Sequence, residues 1–175
     1  MCIRDSTKYS VDFINKSVAE EKNFFLFIAH SMPHVPLFRS ENFANKSTKG
    51  IYGDVIEEID WSVGQILKTI QSLGIIETTY IIFTSDNGPW LTYGSHAGSS
   101  YPLKNGKGTS FEGGMRVPTI ISGPDIYNGV ISELGVQTDL FNTILGLAKL
   151  EPRLHLKNSF NLASVMRHKN KSPRD

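Results

Sequence analysis

Apolar and polar residues alternate along the chain in blocks that predict helices and strands in turn. Three stretches repeat apolar residues every three or four positions, as in a helix with one buried face: 7–21, 52–73 and 138–148. Three short apolar runs have the length of strands: 24–29, 80–84 and 117–122. The run 24–29 is apolar at every position, which predicts a strand buried on both faces. This order predicts an α/β fold with a mainly parallel sheet flanked by helices.

The predicted strand 80–84 is followed by a short polar sequence, Ser85-Asp86-Asn87-Gly88. Open α/β folds bind ligands at the carboxyl edge of the sheet, where this segment would lie. The carboxylate of Asp86 and the amide of Asn87 offer hard oxygen donors, which suit Ca²⁺ or Mg²⁺. Asp-Asn-Gly is also favourable turn chemistry, and taken alone a turn is the more frequent explanation.

A second polar loop follows the run 24–29 and contains two histidines. His34 stands between Pro33 and Pro36, whose rings restrict the backbone and hold the imidazole just beyond the strand. There it is able to act as a general acid or to bind an anion. Taken alone, a loop or buried histidine is the more frequent explanation, and this applies more strongly to His30, which is closer to the strand.

A long glycine-rich segment, 88–114, has no apolar period, and loops of this length in compact domains are usually functional. Lys107 lies between Gly106 and Gly108, which would allow the backbone to approach an anion closely. A flexible surface loop is the usual alternative for an isolated Gly-Lys-Gly. For Glu112 and Arg116 we predict a structural ion pair rather than a catalytic role.

Composition excludes several classes of protein. With 39% hydrophobic and 20% charged residues, the 175-residue chain has the composition of a globular protein. A net charge of +1 argues against a general electrostatic grip on nucleic acid or on an anionic membrane surface. The apolar runs are too short to span a bilayer. Cys2 is the only cysteine, which excludes an intrachain disulfide and a Cys-rich zinc site.

Five blocks, spaced in the same order, resemble the type I sulfatases of the alkaline phosphatase superfamily, closest to the arylsulfatase A and N-acetylgalactosamine-6-sulfatase group. The blocks are Phe24–Leu26, Pro33–Pro36, Gly53–Asp60, Phe83–Pro89 and Gly106–Pro118. The resemblance runs from about residue 7 to residue 174. It implies an alkaline-phosphatase-like α/β fold and a sulfuric ester hydrolase that depends on Ca²⁺.

The resemblance also implies roles for four residues. Asp86 and Asn87 match two ligands of the family's active-site Ca²⁺, and Lys107 matches the lysine that contacts the sulfate oxygens. His34 matches the histidine that binds the bridging oxygen and protonates the leaving alcohol. The implied partner is a sulfated small molecule or glycan, and the implied location is the periplasm, the cell exterior or the lysosome.

Part of the family pattern is absent from this sequence. In the family, a Cys or Ser in a Cys/Ser-x-Pro/Ala-x-Arg motif becomes formylglycine, the nucleophile. Cys2 lacks that context, and Ser31-Met32-Pro33 is followed by Val35 where the arginine belongs. We therefore expect residues 1–6 to be unmatched, 7–175 to be a partial catalytic domain, and this chain alone to be inactive.

Two other functions stay open at this point. One is a phosphodiesterase or phosphonate monoester hydrolase of the same superfamily, which would use the same metal and nucleophile architecture. The other is a non-catalytic binding paralogue, or an isolated inactive fragment, which keeps the fold without the nucleophile.

Overall fold

The computed structural model describes residues 2–152 and 156–174, which form two compact units. Unit 1 is Met1–Ile76 with Asn87–Val117, and unit 2 is Glu77–Asp86 with Pro118–Asp175. No helix among the described residues is long and apolar enough to cross a bilayer.

Two long helices are the largest elements of unit 1. Helix α1 is Ile3–Ala19 and helix α2 is Gly50–Ser72, and a short helix, α3, is Glu112–Met115. Helix α1 begins four residues before the predicted start, because Ile3 is buried in the core that α2 also lines. That core consists of Ile3, Leu37, Val55 and Ile59. Two 3₁₀ turns, Glu41–Phe43 and Leu91–His96, lie in the loops of this unit.

Helix α2 confirms the helix predicted for 52–73, and a glycine follows its end. Gly74 has φ of +69°, and its N–H donates to the carbonyl of Gln71 at 3.0 Å. The N–H of Ile75 reaches back to the carbonyl of Ile70 at 3.2 Å. A left-handed glycine with these two bonds is a common helix stop, since glycine has no Cβ to oppose positive φ.

The prediction of a strand buried on both faces at 24–29 is wrong for the described structure. The segment is not part of a sheet, and Phe25 and Phe27 are 67% and 79% exposed while Leu26 and Ile28 are half-buried. Apolar composition indicates that a segment can be buried, but burial also needs a partner strand. No strand among residues 2–152 and 156–174 pairs with this one.

Unit 2 contains the one sheet that the described residues form. Strand β1 is Ile81–Thr84 and strand β2 is Thr119–Ser122, which confirms the positions predicted from the apolar runs. They pair antiparallel, with Ile81 opposite Ser122 and Thr84 opposite Thr119. The expectation of parallel pairing is therefore wrong for this pair, because an apolar run indicates burial and not the direction of its neighbour.

The carboxyl-terminal part of unit 2 packs on helix α4, Asp139–Leu147. Asp139 is buried and accepts two hydrogen bonds of 2.6 Å from Arg174 and one of 2.8 Å from the N–H of Phe160. Burial alone would raise the pKa of Asp139, but the hydrogen bonds from Arg174 and the backbone outweigh it and lower this pKa. Helix α5, Ala163–His168, is not among the predicted helices, and it contributes Val165 and Met166 to a small apolar core with Leu162.

Asp54 is a buried carboxylate that organises a loop of unit 1. It accepts hydrogen bonds from three consecutive backbone N–H groups, those of Asn45, Lys46 and Ser47, at 2.8–3.0 Å. Arg39 completes the group, with its Nε 2.7 Å from the carboxylate. The pKa of Asp54 is lowered, foremost by the hydrogen bond from the N–H of Ser47. The other two N–H groups and the charge of Arg39 add to this effect, while burial opposes it.

This arrangement predicts a loss of stability in acid. A lowered folded-state pKa means that Asp54 contributes stability above its unfolded-state pKa, and that this contribution is lost as the pH falls through the folded value. We expect Asp54→Asn to lower the melting temperature at pH 7 and to flatten its decline below about pH 5. Asp60→Asn, an exposed position of the same helix, is the control. An unchanged acid decline in Asp54→Asn, measured by circular dichroism, would contradict the assignment.

Candidate active site

Two of the predicted site residues lie against the same indole ring in unit 1. The imidazole of His34 is 5.7 Å from the ring of Trp90, centroid to centroid, at an interplanar angle of 59°. The ammonium nitrogen of Lys107 lies over that ring at 5.2 Å from its centroid. The structure therefore brings together an acid–base group and a cation from distant parts of the sequence. Trp90, which joins them, is not predicted by the sequence pattern.

The loop that carries Lys107 is fastened to the loop that carries Trp90. The N–H of Lys107 donates to the carbonyl of Pro89 at 2.8 Å. Gly106 lies so close that a Cβ there would overlap this same carbonyl, so the approach requires glycine. The N–H of Gly88 donates to the carbonyl of Gly114 at 3.0 Å, which adds a second tie. The Gly106–Gly108 segment is thus held against the Trp90 loop by backbone contacts.

His34 is exposed, and its ring orientation is set by its own backbone. Nδ1 lies 2.7 Å from the carbonyl oxygen of Val35. Because a carbonyl oxygen only accepts, Nδ1 carries the hydrogen in this contact. Nε2 is then the nitrogen that is able to exchange a proton with a ligand. This geometry suits a general acid whose far nitrogen faces outward.

Asp86 and Asn87 stand on either side of the boundary between the two units. Asp86 directly follows strand β1 and Ser85 in unit 2, is exposed, and makes no hydrogen bond or ion pair with any described residue. Gln137 holds the end of that strand by donating to the carbonyl of Ser85 at 2.5 Å. Asn87 begins the second segment of unit 1. Across residues 2–152 and 156–174, no group of three or more His, Cys, Asp or Glu side chains is placed to hold a metal.

The remaining candidates have structural surroundings. His30 is half-buried with Nε2 3.3 Å from the hydroxyl of Ser62, which in turn lies 2.6 Å from the hydroxyl of Thr7. Burial lowers the pKa of His30, which favours the neutral imidazole. Glu112 and Arg116 form the predicted ion pair, at 3.3 Å and exposed. Such pairs contribute about 0–1 kcal/mol.

Comparison with known proteins places most of the chain in one family. The Sulfatase family model matches residues 3–150. Mouse N-acetylgalactosamine-6-sulfatase is 45% identical over 149 residues, which cover 83% of this chain and 29% of that protein. Human arylsulfatase A is 37% identical over 168 residues, which cover 95% of this chain and 33% of that protein. The chain thus spans about a third of the length of these relatives.

Solved structures agree with the sequence comparison. A sulfatase from Pseudoalteromonas sp. superimposes with a TM-score of 0.90 at 30% identity, covering 97% of this chain and 35% of that one. Ps i-CgsB, solved with k-i-k-neocarrahexaose, superimposes with a TM-score of 0.84 at 27% identity, covering 99% of this chain and 40% of that one. These likenesses confirm the predicted α/β, alkaline-phosphatase-like fold class, of which the two units are a part.

Proposed function

This chain belongs to the sulfatase family, and we propose that the complete protein hydrolyses a sulfate ester on a carbohydrate. By the complete protein we mean this chain together with the remaining length found in its sulfatase relatives. The observation that carries the proposal is the meeting of His34 and Lys107 on Trp90. Both side chains lie inside the region that the family model matches. We further propose that 7–175 is part of the catalytic domain.

Lys107 is the group that we assign to the sulfate oxygens. Lys107 is half-buried, and its backbone N–H donates to the carbonyl of Pro89. Negative charge grows on the oxygens around sulfur as the ester bond breaks, and a fixed cation stabilises that charge more than it stabilises the bound ester. Lys107 therefore lowers the barrier as well as holding the substrate.

His34 is the group that we assign to the leaving alcohol. The alkoxide of a sugar hydroxyl is a poor leaving group. A proton must therefore reach the bridging oxygen as the ester bond breaks. With Nδ1 bonded to the carbonyl of Val35, the imidazolium donates this proton from Nε2. In this proposal Lys107 binds the sulfate oxygens and His34 protonates the leaving alcohol.

Asp86 and Asn87 are the residues that we propose to hold calcium. A carboxylate and an amide oxygen are the hard donors that Ca²⁺ prefers, and Asp86 is exposed and makes no bond to any described residue. Calcium, when bound, would supply positive charge that stabilises the negative charge of the transition state. The formylglycine motif does not occur in this sequence, so no residue of this chain is assigned as the nucleophile.

Calcium depletion tests this part of the proposal. We expect chelation to abolish sulfate ester hydrolysis by the complete protein and added Ca²⁺ to restore it. Asp86→Ala is expected to raise the calcium concentration for half-maximal activity by about tenfold or more, since a ligand is lost. Asp12→Ala, an exposed carboxylate on helix α1, is the control. Full activity of Asp86→Ala at the wild-type calcium requirement would remove Asp86 from the metal site.

A further inference from the structure

We propose that Trp90 is the positioning residue of this site: its ring holds the imidazole of His34 and the ammonium of Lys107 in one arrangement for the sulfate ester. The inference rests on the proposed function, which assigns the roles of these two side chains. Trp90 itself touches the groups that act and is not assigned a catalytic step.

Among the described residues, His34, Tyr93 and Lys107 make aromatic or cation–ring contacts with Trp90. His34 lies at 5.7 Å and Lys107 at 5.2 Å, as described above. Tyr93 packs edge-on against the indole, with ring centroids 4.8 Å apart and an interplanar angle of 72°. Tyr93 belongs to the 3₁₀ turn Leu91–His96 that follows Trp90 directly. The turn therefore supports the indole from the adjacent residues, while Lys107 comes from a later part of the segment 88–114 and His34 comes from the loop that follows residue 29.

A lysine side chain needs such a support to bind in one place. It has four rotatable bonds and loses much rotamer freedom when its ammonium is fixed. The face of an indole attracts a cation, so Trp90 restricts the Lys107 ammonium to one side of the ring before the ligand arrives. The backbone bond from Lys107 to Pro89 fixes the root of the same side chain.

The same ring also orders His34. Its imidazole is exposed, so packing against an aromatic neighbour limits the ring orientations that the bond to Val35 leaves available. One ring thus constrains both the acid and the cation. In the proposed function they serve different oxygens of one sulfate ester, the acid the bridging oxygen and the cation the outer oxygens.

A second lysine in the same loop provides a matched control. Lys104 lies over the ring of Phe111, with its ammonium nitrogen 4.1 Å from the centroid. It makes the same type of contact with a different ring, and the proposal gives it no role in sulfate binding. Trp90→Leu removes the ring under Lys107, and Phe111→Leu removes the ring under Lys104, so the two variants test the two contacts separately.

Nuclear magnetic resonance of the complete protein, labelled with ¹³C at the lysine ε-carbons, tests the contact directly. We expect the ε-methylene protons of Lys107 to be shifted upfield by the indole and to move downfield in Trp90→Leu. Phe111→Leu is expected to move the Lys104 signal and leave Lys107 in place. Circular dichroism checks that each variant is folded. An unmoved Lys107 signal in folded Trp90→Leu would overturn the inference.

Titration with inorganic sulfate, followed on the same signals, tests the positioning role. We expect the sulfate concentration at half-saturation of Lys107 to rise at least threefold in Trp90→Leu and to return towards the wild-type value in Trp90→Phe, which keeps an aromatic face. Equal sulfate binding by Trp90→Leu and wild type would overturn the positioning role of Trp90 and leave the role proposed for Lys107 untouched. A wild-type chain in which sulfate leaves Lys107 unmoved would instead overturn the role of Lys107 in the proposed function, and positioning with it.

Discussion

Replacing Lys107 by methionine in the complete protein is expected to lower kcat for a sulfate ester by about 10²–10³-fold. Methionine keeps much of the side-chain length and removes the charge. The backbone contacts of Gly106 and Lys107 with the carbonyl of Pro89 are retained. The lost interaction is strongest when the ester bond is breaking, and kcat should therefore fall more than KM rises. Steady-state kinetics with a chromogenic aryl sulfate measures both constants.

Lys104→Met is the control for this substitution. Lys104 is an exposed lysine of the same loop and lies over Phe111 rather than Trp90. Its replacement should leave kcat within about twofold, since surface charges away from reacting atoms contribute little. A similar loss in both variants, or a change in KM alone for Lys107→Met, would show that Lys107 does not stabilise the transition state.

Replacing His34 by glutamine is expected to have an effect that depends on the leaving group. For a sulfate ester of an aliphatic alcohol, the loss of a general acid should lower kcat by about 10²–10⁴-fold. For 4-nitrophenyl sulfate, whose phenolate leaves without a proton, the loss should be much smaller. Glutamine still offers an N–H to a ligand, so the comparison isolates proton transfer from hydrogen bonding.

His96→Gln is the matched variant for the histidine. His96 is exposed at the end of the turn Leu91–His96 in the same unit and has no role in the proposal. Its kcat should stay near the wild-type value with both esters. If His34→Gln loses the same factor with both leaving groups, His34 is not the acid, and its role is limited to binding or to the shape of the loop.

Some of the fold can be predicted from local sequence because local physics determines it. Helix α2 combines a continuous apolar face with Gly74 at its end, and both signals lie within the segment that they describe. The positions of β1 and β2 follow from short apolar runs bounded by turn residues. His34 and Lys107 are candidates because of their proline and glycine neighbours, but only the resemblance to the sulfatases favours a role in the site for them. The structure places both against one ring.

Other features depend on distant neighbours and have no local signal. The segment 24–29 has the composition of a buried strand, yet two phenylalanines face outward because no described strand covers them. Asp54 and Glu58 look like solvated charges near the start of a helix, whereas both are buried and bond to backbone N–H groups of the 40–47 loop. The contacts of Trp90 involve His34 and Lys107, which are distant from it in the sequence, so no local pattern indicates them.

The central claim is that the site acts on sulfate esters, and the kcat/KM ratio for matched esters tests it most directly. The complete protein would be assayed with 4-nitrophenyl sulfate and with bis(4-nitrophenyl) phosphate, which share a leaving group and differ in the group transferred. We expect kcat/KM to be at least about tenfold higher for the sulfate ester. A preference for the phosphate diester would contradict the claim and make the protein a phosphodiesterase of the same superfamily.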